Sequence, residues 1–350
     1  MKKLYCLILA LALSACALSS GEKTQMHVLL AGSLVIPFND LEAAFEAKHP
    51  DVDVLMDGHG SIQCVRHVTE LDELADVVAV ADYALIPMLM YETRDPETGQ
   101  PYATWTLQFA TNRLGIAYTP QSAHADEISA ENWYEILSRP NVLLGLSDPR
   151  FDACGYRGLM AAQLAEFYYG DQDIFADLFG GRFTQPVRVQ THGDVSAILI
   201  PEVLQPEKDS GLVMRGSSVR LLALLQSGDL DYAFEYESVA RQHGLEFLPL
   251  PSEIDLSDKA YQGNYERVRV SLEFQRFASV NPEFEGQAID YGLTIPANAP
   301  HPDLAVEFIQ FLVGPEGQAV MERNQHPMIL PPVADNGEAL PAALQPMVER

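Results

Sequence analysis

The stretch from Met26 to Val80, MHVLLAGSLVIPFNDLEAAFEAKHPDVDVLMDGHGSIQCVRHVTELDELADVVAV, decides the fold class. Met26 to Ala31 reads as an apolar strand ending in Gly32-Ser33. A helix follows, because Pro37 suits a first turn and Phe38, Leu41 and Phe45 recur at helical spacing until His49-Pro50 stops the run. Val52, Val54 and Met56 alternate as a half-buried strand that ends in Gly58-His59-Gly60-Ser61. Ile62, Val65, Val68 and Leu71 then share one helical face, and Asp76 to Val80 is a third strand with Asp82-Tyr83 at its end. Strands alternating with helices predict an α/β lobe with a mainly parallel sheet.

The 350 residues are enough for two domains. A second lobe is expected from Thr106 to Thr119, where Leu107, Phe109, Leu114, Ile116 and Tyr118 suggest one long strand that leaves the first lobe. Beyond it the pattern predicts a helix at Trp133 to Leu137, a strand at Val142 to Leu146 and a strong helix from Cys154 to Tyr169. A helix at Val219 to Gln226 and a strand at Tyr232 to Tyr236 come next. Ala288 to Pro296 reads as a return strand, Asp303 to Val313 as a helix packing back on the first lobe, and the tail from Pro327 as an extended surface wrap. The expected division is 26–110 with 290–350 as lobe 1 and 111–289 as lobe 2.

Charge narrows the partners. With 49 acidic against 22 basic residues the formal net charge is -27, a field that repels nucleic acid and anionic membrane surfaces at long range. Taken alone, the sum suggests a cationic ligand.

At the start of the chain, Lys2 and Lys3 precede a short apolar run from Leu4 to Leu13, which reads as an export signal and is too short for a membrane span of about 20 residues. Leu13-Ser14-Ala15-Cys16 resembles the lipobox of bacterial lipoproteins, which implies a signal peptide over 1–15, a lipid on Cys16 and a tether over 16–25. An ordinary cleaved signal is the alternative. Cys6 leaves with the signal, so Cys64 and Cys154 remain in the fold, either bridged beside the site or as two buried free thiols.

Two strand ends deliver a serine to a helix start, at Gly32-Ser33 and Gly60-Ser61, and a third delivers Asp152-Ala153-Cys154-Gly155. Ligands of open α/β sheets sit beyond the carboxyl ends of strands, and helix N-termini bind oxyanions through unpaired N–H groups and a positive partial charge. Singly, each serine reads as a plain N-cap. Together the loops make an anion cradle of dipoles and hydroxyls.

Ala31-Gly32-Ser33-Leu34, Gly60-Ser61 with Cys64-Val65-Arg66, and Ala81-Asp82-Tyr83-Ala84-Leu85-Ile86-Pro87 occur in one order with Asp152, Cys154-Gly155-Tyr156-Arg157 and Asp231-Tyr232-Ala233-Phe234-Glu235-Tyr236. Gln242-His243-Gly244, Tyr291-Gly292-Leu293-Thr294-Ile295-Pro296 and Asn298-Ala299-Pro300-His301-Pro302 continue the series. The whole resembles the tungstate/molybdate-binding proteins of ABC importers, in their archaeal-type branch. The resemblance implies a type II periplasmic-binding fold of two lobes joined by hinge strands. It also implies a monomeric, exported binding protein that is not an enzyme and hands its dianion to a membrane permease. Carried over by position, Ser33, the Leu34 amide and Ser61 bind from the first lobe, and Asp152, the Ala153 and Cys154 amides and Tyr236 from the second. Asp152 is also expected to approach the Mo or W atom as a direct ligand. Where the family has Arg-Pro-Lys-Glu, this chain reads Arg215-Gly216-Ser217-Ser218. Ser218 is therefore expected to donate to an oxo group, or Glu235 or Glu237 to substitute for the missing glutamate, unless both are solvated or structural charges.

His59 adjoins the cradle but reads as a turn residue, and His243 and His301 fall outside it. Motifs of common metalloenzymes, nucleotide-binding proteins and serine hydrolases are missing. Two alternatives remain: the same fold selecting sulfate or phosphate, and an exported hydrolase using Ser61, His59 and an aspartate.

Overall fold

The computed structural model describes residues 23–273 and 283–349. The expected leader and Cys16 lie outside the described residues. Thr24 and Gln25, read as the end of a tether, already pair with Val52 and Asp53, so the first strand begins two residues before the apolar run.

Strand β1 (Thr24–Ala31) is followed by a single 3₁₀ turn, helix α1 (Val35–Glu46), β2 (Val52–His59), α2 (Ser61–Leu71) and β3 (Val77–Val80). β1 lies between β2 and β3 and is parallel to both, as the strand–helix alternation requires. A π-helical turn, Ile86–Tyr91, leads toward β4 (Leu107–Thr111).

The expected long strand is two strands. After β4 the chain passes Asn112-Arg113 and continues as β5 (Leu114–Tyr118) in a different sheet. α3 (Trp133–Ser138), β6 (Leu144–Ser147), α4 (Ala153–Tyr169) and α5 (Ile174–Phe179) follow. Next come a hairpin of β7 (Arg188–His192) and β8 (Val195–Ile200), then β9 (Leu212–Arg215), α6 (Leu222–Ser227) and β10 (Tyr232–Tyr236). α7 (Glu237–Gln242), β11 (Glu246–Pro249), α8 (Gln262–Tyr265), β12 (Val268–Leu272) and β13 (Glu283–Glu285) lead back toward the first lobe. The return is β14 (Asp290–Thr294), with α9 (Pro302–Val313), α10 (Pro315–Arg323) and β15 (Met328–Ala334) closing the chain.

The first sheet has the order β15-β4-β14-β3-β1-β2, and the second β11-β5-β10-β6-β9. Each sheet is mixed. The strands that alternate with helices run parallel, whereas β14 pairs antiparallel with β3 and β4, and β5 antiparallel with β10 and β11, because these strands carry the crossings. The tail is not a mere wrap, since β15 pairs with β4 at the sheet edge. The two crossings are tied together where Ile289 O accepts from Asn112 N–H and Thr111 Oγ1.

Phe38 and Phe45 of α1 meet Phe308 of α9, with ring centroids 6.2 and 5.3 Å apart. The small third sheet, β13-β12-β8-β7, has no counterpart in the sequence reading. α4 lies against β6 and β10 and also against β8 and β12, so Ala153 to Ala165 are all buried. Gly170, at φ 72°, ends it in the left-handed conformation that glycine adopts without strain.

Candidate functional site

Ser33 leaves the end of β1 and is nearly buried. Its Oγ accepts a 3.0 Å bond from Tyr291 Oη, which in turn accepts from Asn112 Nδ2 at 3.2 Å. Ser61, the first residue of α2, is wholly buried, and its Oγ accepts from the Ala81 amide at 3.0 Å. Tyr236, at the end of β10, is buried and its hydroxyl accepts from Arg157 Nη1 at 2.8 Å. In each case the protein supplies the donor. Each hydroxyl keeps its own proton for an acceptor outside this network.

Asp152 occupies the N-cap position of α4 without capping it. Its Oδ2 instead accepts the Ser218 amide at 2.9 Å, and burial pushes its carboxyl above the usual range. Ala153 and Cys154 open α4, where helix geometry leaves their amides without an intrahelical acceptor. Leu34 is buried in the 3₁₀ turn after β1.

The strand-end loops meet face to face. Ile62 N–H donates to Phe151 O at 3.1 Å, joining the start of α2 to the loop before α4. At Gly60 a Cβ would lie 2.4 Å from Phe151 O, so only glycine permits this approach. At Gly32 a Cβ would lie 2.9 Å from Val219 Cγ2. Ser33, Leu34 and Ser61 are thus brought against the loops that carry Asp152 and Ser218.

The sequence places Arg157 in the Cys154-Gly155-Tyr156-Arg157 motif without giving it a role at the cleft. Projecting from α4, it donates to Ala81 O at 2.6 Å and to Tyr236, and its Nη2 lies 3.5 Å from Asp82 Oδ2. That Nη2 is buried and has no hydrogen-bond partner. Burial disfavours its charge, yet Tyr236 and Asp82 beside it outweigh that and raise its pKa. Beside it Tyr156 Oη donates to Asp82 at 2.5 Å, a second bond from α4 to the end of β3. The signal for Arg157 was present in the sequence: a single arginine in an otherwise apolar run is costly to bury unless it is paired.

The region of the missing glutamate contains a different carboxyl. Ser218 Oγ donates to Glu235 Oε1 at 3.0 Å, so its one proton reaches an oxo group only by leaving that bond. Glu235 is wholly buried rather than solvated. Its Oε1 also accepts the Tyr236 amide at 2.8 Å, while Oε2 has no partner. Burial pushes its pKa to about 8. Glu237 is a structural charge: burial raises its pKa, but bonds from Arg113 and Arg241 outweigh that and lower it.

Cys64 and Cys154 are both buried free thiols, so the bridge is not formed. Cys154 Sγ donates to Phe234 O at 3.4 Å. The hydrolase constellation is not assembled either, since Ser61 is engaged by Ala81 while His59 Nε2 lies 3.1 Å from Asp57. No helix among the described residues is long and apolar enough to cross a membrane.

A family model described as bacterial extracellular solute-binding protein matches residues 26–324. An uncharacterized solute-binding protein of Methanoculleus marisnigri is 44% identical, covering 94% of this chain and 88% of the relative. The molybdate/tungstate-binding protein WtpA of Thermococcus kodakarensis is 38% identical, covering 94% and 91%. Among solved structures, the sulfate-binding protein SubI of Mycobacterium tuberculosis superposes with a TM-score of 0.54 at 14% identity, over 87% of this chain and 86% of that one. That likeness carries the two-lobed type II fold and nothing about the ligand.

Proposed function

The chain belongs to the bacterial extracellular solute-binding protein family, and from that premise we propose that it captures tungstate or molybdate between its lobes for an ABC permease. Proteins of this family serve transport rather than catalysis. One observation carries the ligand class: Ser33, Ser61 and Tyr236 each accept one internal hydrogen bond and keep a proton to give. A fully deprotonated tetrahedral oxyanion offers only acceptors, so it matches that set.

In this reading the Leu34, Ala153 and Cys154 amides add donors, and Arg157 Nη2 supplies the positive charge that helix dipoles alone do not. Asp152 faces the anion and approaches the Mo or W atom, which accepts oxygen donors where sulfur or phosphorus would not. Ser218 and Glu235 stand behind it. The ligand favours the closed arrangement because it touches both lobes, as population shift requires. Lipid attachment at Cys16 and a monomeric state belong to the same proposal.

Native mass spectrometry of the purified protein with tungstate, molybdate and sulfate in competition tests it. One equivalent of tungstate or molybdate is expected, displacing sulfate. Nanomolar binding of sulfate with none of tungstate would overturn the reading and favour the sulfate-type alternative.

A further inference from the structure

The His59 ring lies against His67 and Asp57, in a group of side chains that the oxyanion site does not use. His27 on β1, Asp57 on β2 and Glu73 just after α2 offer ligand atoms that all lie within 4.8 Å of one another. His67 of α2 joins them, its Nδ1 2.6 Å from Glu73 Oε2. The His59 and His67 rings lie tilted against each other with centroids 4.3 Å apart, and the His59 Nε2, buried and without a hydrogen-bond partner, lies 3.1 Å from Asp57 Oδ1. Three of the nine histidines of the chain therefore meet two carboxylates at one corner of the first lobe.

We propose that His27, Asp57, His67 and Glu73 form a site for a divalent transition-metal cation of the zinc class, with His59 positioning Asp57 and His67. The donor set decides the class. Imidazole with carboxylate suits zinc, nickel or copper, whereas magnesium and calcium take oxygen ligands almost alone.

Geometry agrees. Ligand atoms around a tetrahedral zinc stand about 3.4 Å apart, given bonds of about 2.0–2.2 Å. The His27, Asp57 and Glu73 atoms close to that spacing from within 4.8 Å, and the His27 and Glu73 side chains, 29% and 31% exposed, have room to rotate; His67 lies outside that limit and reaches the group through its 2.6 Å bond to Glu73. Leu74 O, 3.1 Å from His27 Nδ1, is the kind of backbone acceptor that orients a metal-bound imidazole. A plain ion pair accounts for His67 with Glu73. It does not account for His27, Asp57 and His59 gathering on the same pair.

The test is calorimetry and metal analysis on the chelator-treated full chain with zinc chloride, and with magnesium chloride as the hard-cation arm. One equivalent of zinc is expected, weakened roughly tenfold or more in Asp57→Asn and in Glu73→Gln. Binding should be unchanged in His124→Ala, which removes a distant surface histidine paired with Glu127. Circular dichroism and tungstate binding on the same samples show that each variant is folded, and they separate this site from the cleft. Absence of saturable zinc binding, equal binding of magnesium, or full zinc affinity in the folded Asp57→Asn and Glu73→Gln variants would overturn the proposal.

Discussion

Glu235 shows how a single residue can be visible in a sequence and unreadable in role. Its position at the end of a strand was evident, but alternation in Tyr232 to Tyr236 cannot say that both faces of β10 are covered, which leaves all five residues buried. Burial raises its pKa from 4.5 to about 8, so between those values the folded protein holds a proton that the unfolded chain has lost. Its stabilising contribution is complete below about pH 4.5 and disappears as pH rises through about 8. Glu235→Gln keeps an acceptor for Ser218 and the Tyr236 amide but cannot ionise. Urea unfolding at pH 5, 6.5 and 8.5 should therefore show the variant gaining stability over wild type as pH rises, by at least about 1.4 kcal/mol, the equivalent of one pKa unit. Parallel pH profiles for the two proteins would show that Glu235 stays ionised in the fold. Arg157 shows the same from the opposite charge, since the bonds that hold it go to Ala81, just after β3, and to Tyr236, the last residue of β10.

At the scale of elements, the alternation of β1, α1, β2, α2 and β3 was legible because each element buries one face and its period shows it. The break at Asn112-Arg113 was not, because β4 and β5 are both apolar and only their different pairing partners divide them. The third sheet is not legible in the sequence for a related reason, its strands being short and partly exposed. Gly60 tests how elements of opposite lobes meet. At φ −66° its backbone suits alanine, so the penalty of Gly60→Ala is the clash with the segment before α4, where Phe151 O would lie at 2.4 Å, Phe151 C at 2.9 Å and Asp152 Cβ at 3.2 Å. The unliganded variant should unfold within a few degrees of wild type yet bind tungstate about tenfold more weakly, a difference of about 1.4 kcal/mol in the closed state. Wild-type affinity would mean that closure does not depend on this approach.

The whole molecule carries a charge of -27, which pointed toward a cation, while the strand-end loops point toward an anion. Both statements hold at their own range. Global charge governs encounter, and local donors govern retention. Raising ionic strength from about 10 to 150 mM, which shortens the screening length from about 30 to about 8 Å, should speed tungstate association in stopped-flow measurements. A marked slowing would show that a local positive field around Arg157 dominates capture. By itself the sequence determined the α/β class, the strand-end loops and their serines, because hydrophobic period and turn residues act over a few neighbours. Only the tertiary structure decided that Arg157 reaches Ala81, that Ser218 is spent on Glu235, that Cys64 and Cys154 stay unbridged and that His27 meets Glu73. Those outcomes depend on which distant segments share a sheet edge or a buried corner, and no local pattern encodes the partner across a gap of that length.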